Sequence, residues 1–234
     1  MKVVLSPSKS MSENTKTPLQ HPLFNKRFEL LDELKKMSMD ALMTLYQSNE
    51  NIASTNYKRF QSFEESNQAI FTYTGQQFKH LDVFTLDQDS IDHLNKVLYI
   101  MSGLYGLVRP YDKIGLYRLP MGVQWNDSLL KNEWIDIISD HLKNDDVLNL
   151  ASKEYYDAID YKRVNVTRVD FLVEKNSKIR KAPAMEAKKM RGLMVRRIAL
   201  NKIKTIDSVK MLEFDDYRYD ETRSQKGVIA FLKQ

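Results

Sequence analysis

The chain has 234 residues, 42% of them hydrophobic and 29% charged, a composition that suits one large globular domain or two small ones and is too apolar for general disorder. There is no cysteine, which excludes a disulfide scaffold, a thiolate metal site, a cysteine nucleophile and a thiol redox sensor. The net charge is +5, but residues 175–204 hold eleven Lys or Arg against one acid, Glu186, and the remainder is net negative; this asymmetry points to a polyanionic partner or, more plainly, to a solvated basic face.

Lys2–Leu5 reads as a short buried strand, followed at once by the polar turn Ser6-Pro7-Ser8-Lys9. Residues 10–25, with Pro18 and Pro22, read as a long connection. Leu30, Leu31, Leu34, Met37, Ala41, Leu42 and Leu45 recur at helical spacing and predict a helix over 27–45, with Ser38 capping a second segment. Further helices are expected over 50–60 and just before Gly75. Asp89 or Ser90 can cap a helix from Ile91, whereas residues 97–101 are helix or strand, because so short an apolar run has no diagnostic period. A helix over 125–142, a strand over 147–150 and a helix opened by Ala151-Ser152 follow. Residues 163–173 alternate as a strand with a bulge at Thr167-Arg168, and Asn176-Ser177 is a turn. The chain closes with a helix over 186–203 and strands over 209–214 and 228–232. No repeat or linker divides it, so the expectation is a single mixed α/β domain spanning residues 1–234, a central mixed sheet flanked by helices.

The seven glycines form no GxGxxG, GxxxxGK[ST] or GxSxG pattern, so dinucleotide-binding, P-loop and nucleophile-elbow readings lose their support. His21, His80, His93 and His141 are too far apart for close-paired zinc ligands, and neither metal nor cofactor is expected. No apolar run approaches the ~18–20 residues of a membrane span, and the first apolar stretch is too short for a signal peptide. A cytoplasmic monomer away from membranes is expected.

The helix over 186–203 concentrates the positive charge. Lys188, Lys189, Arg191, Arg196 and Lys202 share one arc of it, while Ala187, Met190, Leu193, Met194, Ile198 and Leu200 share the other, so one cationic and one buried face are expected. Gly192 and Ala199 lie inside the cationic arc. A mid-helix glycine costs about 1 kcal/mol; it either lets a phosphate backbone approach or permits a helix crossing. Arg197, among the apolar positions, is a snorkelling or a paired charge.

Ser102-Gly103-Leu104-Tyr105-Gly106 sits between two apolar stretches. It loosely matches a helix-hairpin-helix motif, whose exposed amides can bind a phosphate oxygen, with two residues rather than one between the glycines. It can equally be a strand and loop with Ser102 at the carboxyl edge of a sheet, or a structural turn. If the strands before Ser6, before Ala151 and through residues 97–101 run parallel, Lys9, Ser102, Arg109, Ser152 and Glu154 can line one cleft.

Five blocks carry a family resemblance: Ser6-Pro7-Ser8-Lys9, MSGLYGLVRPYD (101–112), YRLPMG (117–122), NLASKEY (149–155) and AKKMRGLMVR (187–196). In this order, over nearly the whole chain, they resemble the YaaA family of peroxide-stress proteins. The resemblance implies a bacterial cytoplasmic protein that protects DNA from hydrogen peroxide and is linked to limiting free intracellular iron. It also implies a compact α/β fold with a helix-hairpin-helix-like element at residues 103–106 and a positively charged DNA-binding cleft. With the reading of the residues above, the nucleic-acid-binding set is Lys9, Ser102, Gly103, Tyr105, Gly106, Arg109, Tyr117, Arg118, Lys188, Lys189, Arg191 and Arg196. Two departures stand out: Ser8 where the family usually has alanine, and Asp216 in place of a glycine in a shortened segment over 214–219.

Three functions compete. The first is DNA binding, mainly to the phosphate backbone and with weak sequence preference, Tyr105 and Tyr117 stacking on exposed bases. The second is an enzyme acting on a nucleic acid or nucleotide through Lys9, Ser152, Glu154 and Tyr155, with Glu154 and Lys9 as an acid/base pair or simply an ion pair. The third is direct iron binding by the carboxylates of Asp215, Asp216, Asp220 and Glu221.

Overall fold

In the computed structural model, which describes residues 1–234, the first strand, β1 (Lys2–Leu5), buries Val3, Val4 and Leu5 and lies in the middle of the main sheet. Helices α1 (Lys26–Lys36), α2 (Met39–Tyr46) and α3 (Glu50–Gln61) follow, then the short β2 (Asn67–Gln68), α4 (Ala69–Thr72) and α5 (Gln76–Leu81). Helix α6 (Gln88–Val97) runs directly into β3 (Leu98–Ser102), which turns back as β4 (Gly106–Val108). Next come β5 (Lys113–Ile114), β6 (Gln124–Trp125), β7 (Ser128–Leu129), α7 (Ile135–Leu142), β8 (Asp146–Leu150) and α8 (Lys153–Tyr156). The chain ends with β9 (Asn165–Lys175), β10 (Lys178–Lys181), α9 (Ala184–Leu200), α10 (Ile206–Lys210), β11 (Tyr217–Gln225) and β12 (Val228–Lys233).

The eight-stranded sheet has the order β11-β12-β9-β8-β1-β3-β4, with β10 added to β9. Strands β12, β9, β8, β1 and β3 are parallel, and β4, β10 and β11 are antiparallel additions. The parallel interior explains the short, unbroken apolar runs of β1, β3 and β8, since such strands are covered on both faces. One cluster of 60 buried residues joins the sheet to the helices, which makes the fold α/β around a single core. Leu5 stands beside Ile100 on one side and Leu150 on the other, so the loops after β1, β3 and β8 leave the same edge. The chain places β3 to one side of β1 and then crosses to place β8 on the other. Beside β1 the strand order therefore reverses, the position where open α/β sheets form a crevice.

The helix expected over 27–45 is two helices, broken at Met37 and restarted by Ser38, whose hydroxyl accepts the Ala41 amide at 3.2 Å. Helix α6 is capped by Asp87 rather than Asp89 or Ser90; the Asp87 carboxylate accepts the Ser90 amide at 2.7 Å. The helix expected over 125–142 starts only at Ile135, because Asn126 takes a left-handed φ of 50° and turns the chain into the β6–β7 hairpin. No strand forms over 209–214: Val209 belongs to α10, capped by the Thr205 hydroxyl. The register of β9 is continuous through Thr167 and Arg168, and the irregularity of the sheet lies in β11 between Asp220 and Gln225.

Residues 98–102 are strand, fully buried and paired with β4 through Ser102 and Gly106. Residues 103–105 are accordingly the turn of a β-hairpin closed by Gly106, and the segment 103–106 is not the helix-hairpin-helix-like element that the resemblance implied. Two contacts hold this turn in the core. A Cβ at Gly103 would run into the Leu119 carbonyl, and Gly106, at φ +72°, lies under the Trp134 ring.

Candidate functional site

The pocket beside β1 is built by four segments. Ser6 follows β1 directly, and its hydroxyl accepts the Ser152 amide at 2.8 Å, while the two serine hydroxyls lie 3.2 Å apart; this ties the loop after β1 to the loop after β8. From α5 the Gln77 side-chain amide donates to the carbonyl of Ser6 and, at 3.3 Å, to that of Pro7. Gly75, just before α5, leaves no room for a Cβ against Ser8. The fourth wall is α9. Lys9, Ser152, Glu154, Tyr155, Lys188 and Arg191 are among the thirteen residues that enclose a pocket of about 280 Å³, only one of which is hydrophobic. A small recess continues from it past Lys9 and Tyr155 to Tyr117 and Arg118.

The charged side chains of this pocket form no ion pairs. Eighteen ion pairs within 4.0 Å cover the molecule, and none includes Lys9, Arg118, Glu154, Lys188 or Arg191. Lys9 and Lys188 are exposed, whereas Arg191 is half-buried, and burial lowers its guanidinium pKa. Arg118 has its Nε enclosed without a hydrogen-bond partner. Burial, with the Glu154 charge adding to it, raises the Tyr155 phenol far above its ordinary range, so it stays protonated and able to donate. Under the recess the Tyr117 hydroxyl bridges the Ser102 hydroxyl at 2.5 Å and the Tyr73 hydroxyl at 2.8 Å, and burial pushes Tyr117 up to about 12.

Of the twelve residues singled out from sequence, Lys9, Lys188 and Arg191 line the pocket, and Tyr117 and Arg118 line its recess. The others are placed elsewhere. Ser102 is fully buried and holds the hairpin turn by accepting the amides of Leu104 and Tyr105 at 3.2 and 3.0 Å. Gly103 offers no amide to a ligand surface; it packs in the core, and its carbonyl accepts the Trp134 indole at 2.8 Å. Gly106 is buried under the same ring. Tyr105 is 0% exposed with its hydroxyl on the Gly115 amide, so it cannot stack on a base. Arg109 is taken by Asp112 and by the His21 carbonyl. Of the cleft proposed from the strand ends, Lys9, Ser152 and Glu154 meet, and Ser102 and Arg109 do not join them. Lys9 and Glu154 line one pocket without forming the ion pair that was the plainer expectation.

The cationic arc of α9 divides in the same way. Lys189 pairs with Asp215 at 2.6 Å, Arg196 donates to the carbonyls of Leu81 and Asp82, and Lys202 reaches Ser90. Gly192 and Ala199 are buried; a Cβ at Gly192 would strike the Gln77 carbonyl, so the glycine serves the crossing of α9 with α5. The expected two-faced helix is therefore covered on two sides, by the core and by α5. The carboxylates weighed as iron ligands do not converge: no group of three or more His, Asp or Glu is arranged to hold a metal ion, and Asp215 and Asp220 are held by Lys189 and Arg223. Asp216 has φ 40°, the left-handed backbone suited to the glycine that the resemblance expects there. Ser6, Gly75 and Gln77 were not anticipated as builders of the site. Only the Ser6 turn had a sequence signal, because the approach of α5 is a tertiary event.

The fold and the pocket define an α/β protein with a polar, cation-rich site at the switch point of its parallel strands. Residues 1–223 match the family model described as peroxide stress protein YaaA, and the chain belongs to this family. Similar proteins include the UPF0246 protein of Finegoldia magna, 32% identical over 242 residues and covering 100% of this chain and 98% of its own length. Another is the UPF0246 protein Mmwyl1_3597 of Marinomonas sp., 35% identical over 254 residues, with 100% and 97% coverage. A third, from Francisella philomiragia, is 32% identical over 255 residues with full coverage of both chains. No helix is long and apolar enough to cross a membrane.

Proposed function

We propose that this peroxide-stress family member binds DNA, and that it engages the phosphate backbone through Lys9, Lys188 and Arg191. The observation that carries the proposal is that these three cations face one pocket without a carboxylate partner within 4.0 Å, while Arg109, Lys189 and Arg196 are each paired. Charges left unpaired on a folded surface are the ones free to neutralise an anionic ligand, and phosphate contacts of this kind give affinity without sequence preference. A monomeric, cytoplasmic role in protecting DNA from peroxide, with the link to free iron that the family resemblance implies, belongs to the same proposal; no metal-ligand set is part of it. The test is a double variant, Lys188→Glu with Arg191→Glu, compared with Lys189→Glu in a DNA-binding titration. Loss of binding in the double variant alone supports the reading; equal binding by all three proteins overturns it.

A second reading, an enzyme acting on a nucleic acid or nucleotide, is favoured by the unpaired Lys9 and Glu154 beside the protonated Tyr155 in a concave site. Incubation of the protein with DNA and with nucleotides, followed by chromatography of the products, tests it; unchanged ligands reject it.

A further inference from the structure

We infer that the pocket takes a terminal phosphate, the phosphomonoester of a single nucleotide, rather than a phosphate inside a continuous strand. This rests on the DNA reading and names the part of the nucleic acid that enters the site. Four segments line the half-open pocket: the loop after β1, the start of α5, the loop after β8, and α9. The volume of about 280 Å³ is near the lower limit for small-molecule sites, roughly 300 Å³.

Charge matching points the same way. Lys9, Lys188 and Arg191 against Glu154 leave two positive charges around the pocket. A phosphomonoester carries about −1.5 to −2 at neutral pH, whereas an internal diester carries one negative charge. The half-buried Arg191 strengthens this preference, because a guanidinium held away from water gains most from a doubly charged oxyanion that it can grip at two points. Ser152 adds a hydroxyl, and the Tyr155 phenol, kept protonated by burial, adds a donor. Of the remaining cations of α9, Lys189 and Arg196 are paired within the protein, and Arg197 is exposed but is not among the residues that line this pocket. Two sources present this chemistry: a free nucleoside monophosphate and a phosphate-terminated DNA strand end, the kind of end that oxidative cleavage of a deoxyribose leaves.

The experiment measures binding of the whole protein to three dye-labelled DNAs: a nicked duplex with a phosphate at the nick, the same duplex with hydroxyls at the nick, and a closed circle without ends. Deoxyadenosine monophosphate and inorganic phosphate serve as competitors. The expected result is tighter binding, by about tenfold, to the phosphate-bearing nick. That preference should fall below about pH 6, where the monoester takes up a proton. It should vanish in Lys9→Ala, an exposed position whose variant keeps the fold, and persist in Lys189→Ala. Competition by the mononucleotide with no preference among the DNAs assigns the pocket to free nucleotides and keeps the proposal. Equal binding to all three DNAs with no competition overturns the proposal and leaves the DNA reading standing. Binding of the mononucleotide but of no DNA overturns the DNA reading instead.

Discussion

Gly192 lies so close to the main-chain carbonyl of Gln77 that no Cβ fits between them, and the Gln77 side chain in turn holds the carbonyls of Ser6 and Pro7. The crossing of α9 with α5 and the shape of the pocket are thus one packing arrangement. Gly192→Ala is expected to force the helices apart and to cost about 1–3 kcal/mol, the usual penalty for overpacking, despite the better helix propensity of alanine. Urea denaturation gives the stability. If alanine stabilises the protein, the close crossing is not the reason for the glycine.

Arg109, singled out for the nucleic-acid interface, is the partner of Asp112, whose side chain is 0% exposed. Burial raises the Asp112 carboxyl pKa, and the Arg109 contacts oppose that rise. Arg109→Ala leaves this carboxyl without its cation and should destabilise the fold by about 3–5 kcal/mol. DNA affinity, measured below the melting temperature, should change little. A stable variant with lost binding would return Arg109 to the interface.

The salt dependence of DNA binding follows from how many cations contact phosphates. Five contacts from the α9 arc would give a slope of log K against log salt near −4 to −5, whereas Lys9, Lys188 and Arg191 alone give about −3. Titrations across a range of salt concentrations discriminate the two. The steeper slope would mean that Lys189 and Arg196 leave Asp215 and Leu81 to meet the DNA.

His93 is buried under α9 with its Nε2 2.9 Å from the Ile203 carbonyl, and burial lowers its pKa from the ordinary 6.5. The depressed value means that the unfolded chain takes up the proton first. Above pH 6.5 both states are neutral; as the pH falls through 6.5 towards the lower folded value, stability is lost. Thermal melts should show the midpoint dropping between about pH 7.5 and 5.5, and His93→Gln should flatten part of that drop. An unchanged slope in the variant would assign the effect to other groups.

Much of this protein is legible along the chain itself. The apolar run Lys2–Leu5 followed by Ser6-Pro7 specifies a buried strand and a sharp exit, and the turn at Asn176-Ser177, both at left-handed φ, follows from the tolerance of such residues for that backbone. Lys9, Lys188 and Arg191, which line one pocket, were also singled out this way, because charge density and turn chemistry are properties of neighbouring residues. What tertiary packing decided was which of those charges remain available. Lys189 carries the same formal charge as Lys188, and nothing in its local sequence marks Asp215 as its partner or Gln77 as the neighbour of Gly192. Pairing depends on which segments the sheet order brings together. The parallel placement of β1 between β3 and β8 set the loops of residues 6–10 and 151–155 side by side. The same packing turned Gly103 and Gly106 into the core, because burying the hairpin against Trp134 and Leu119 leaves no amide there for a ligand.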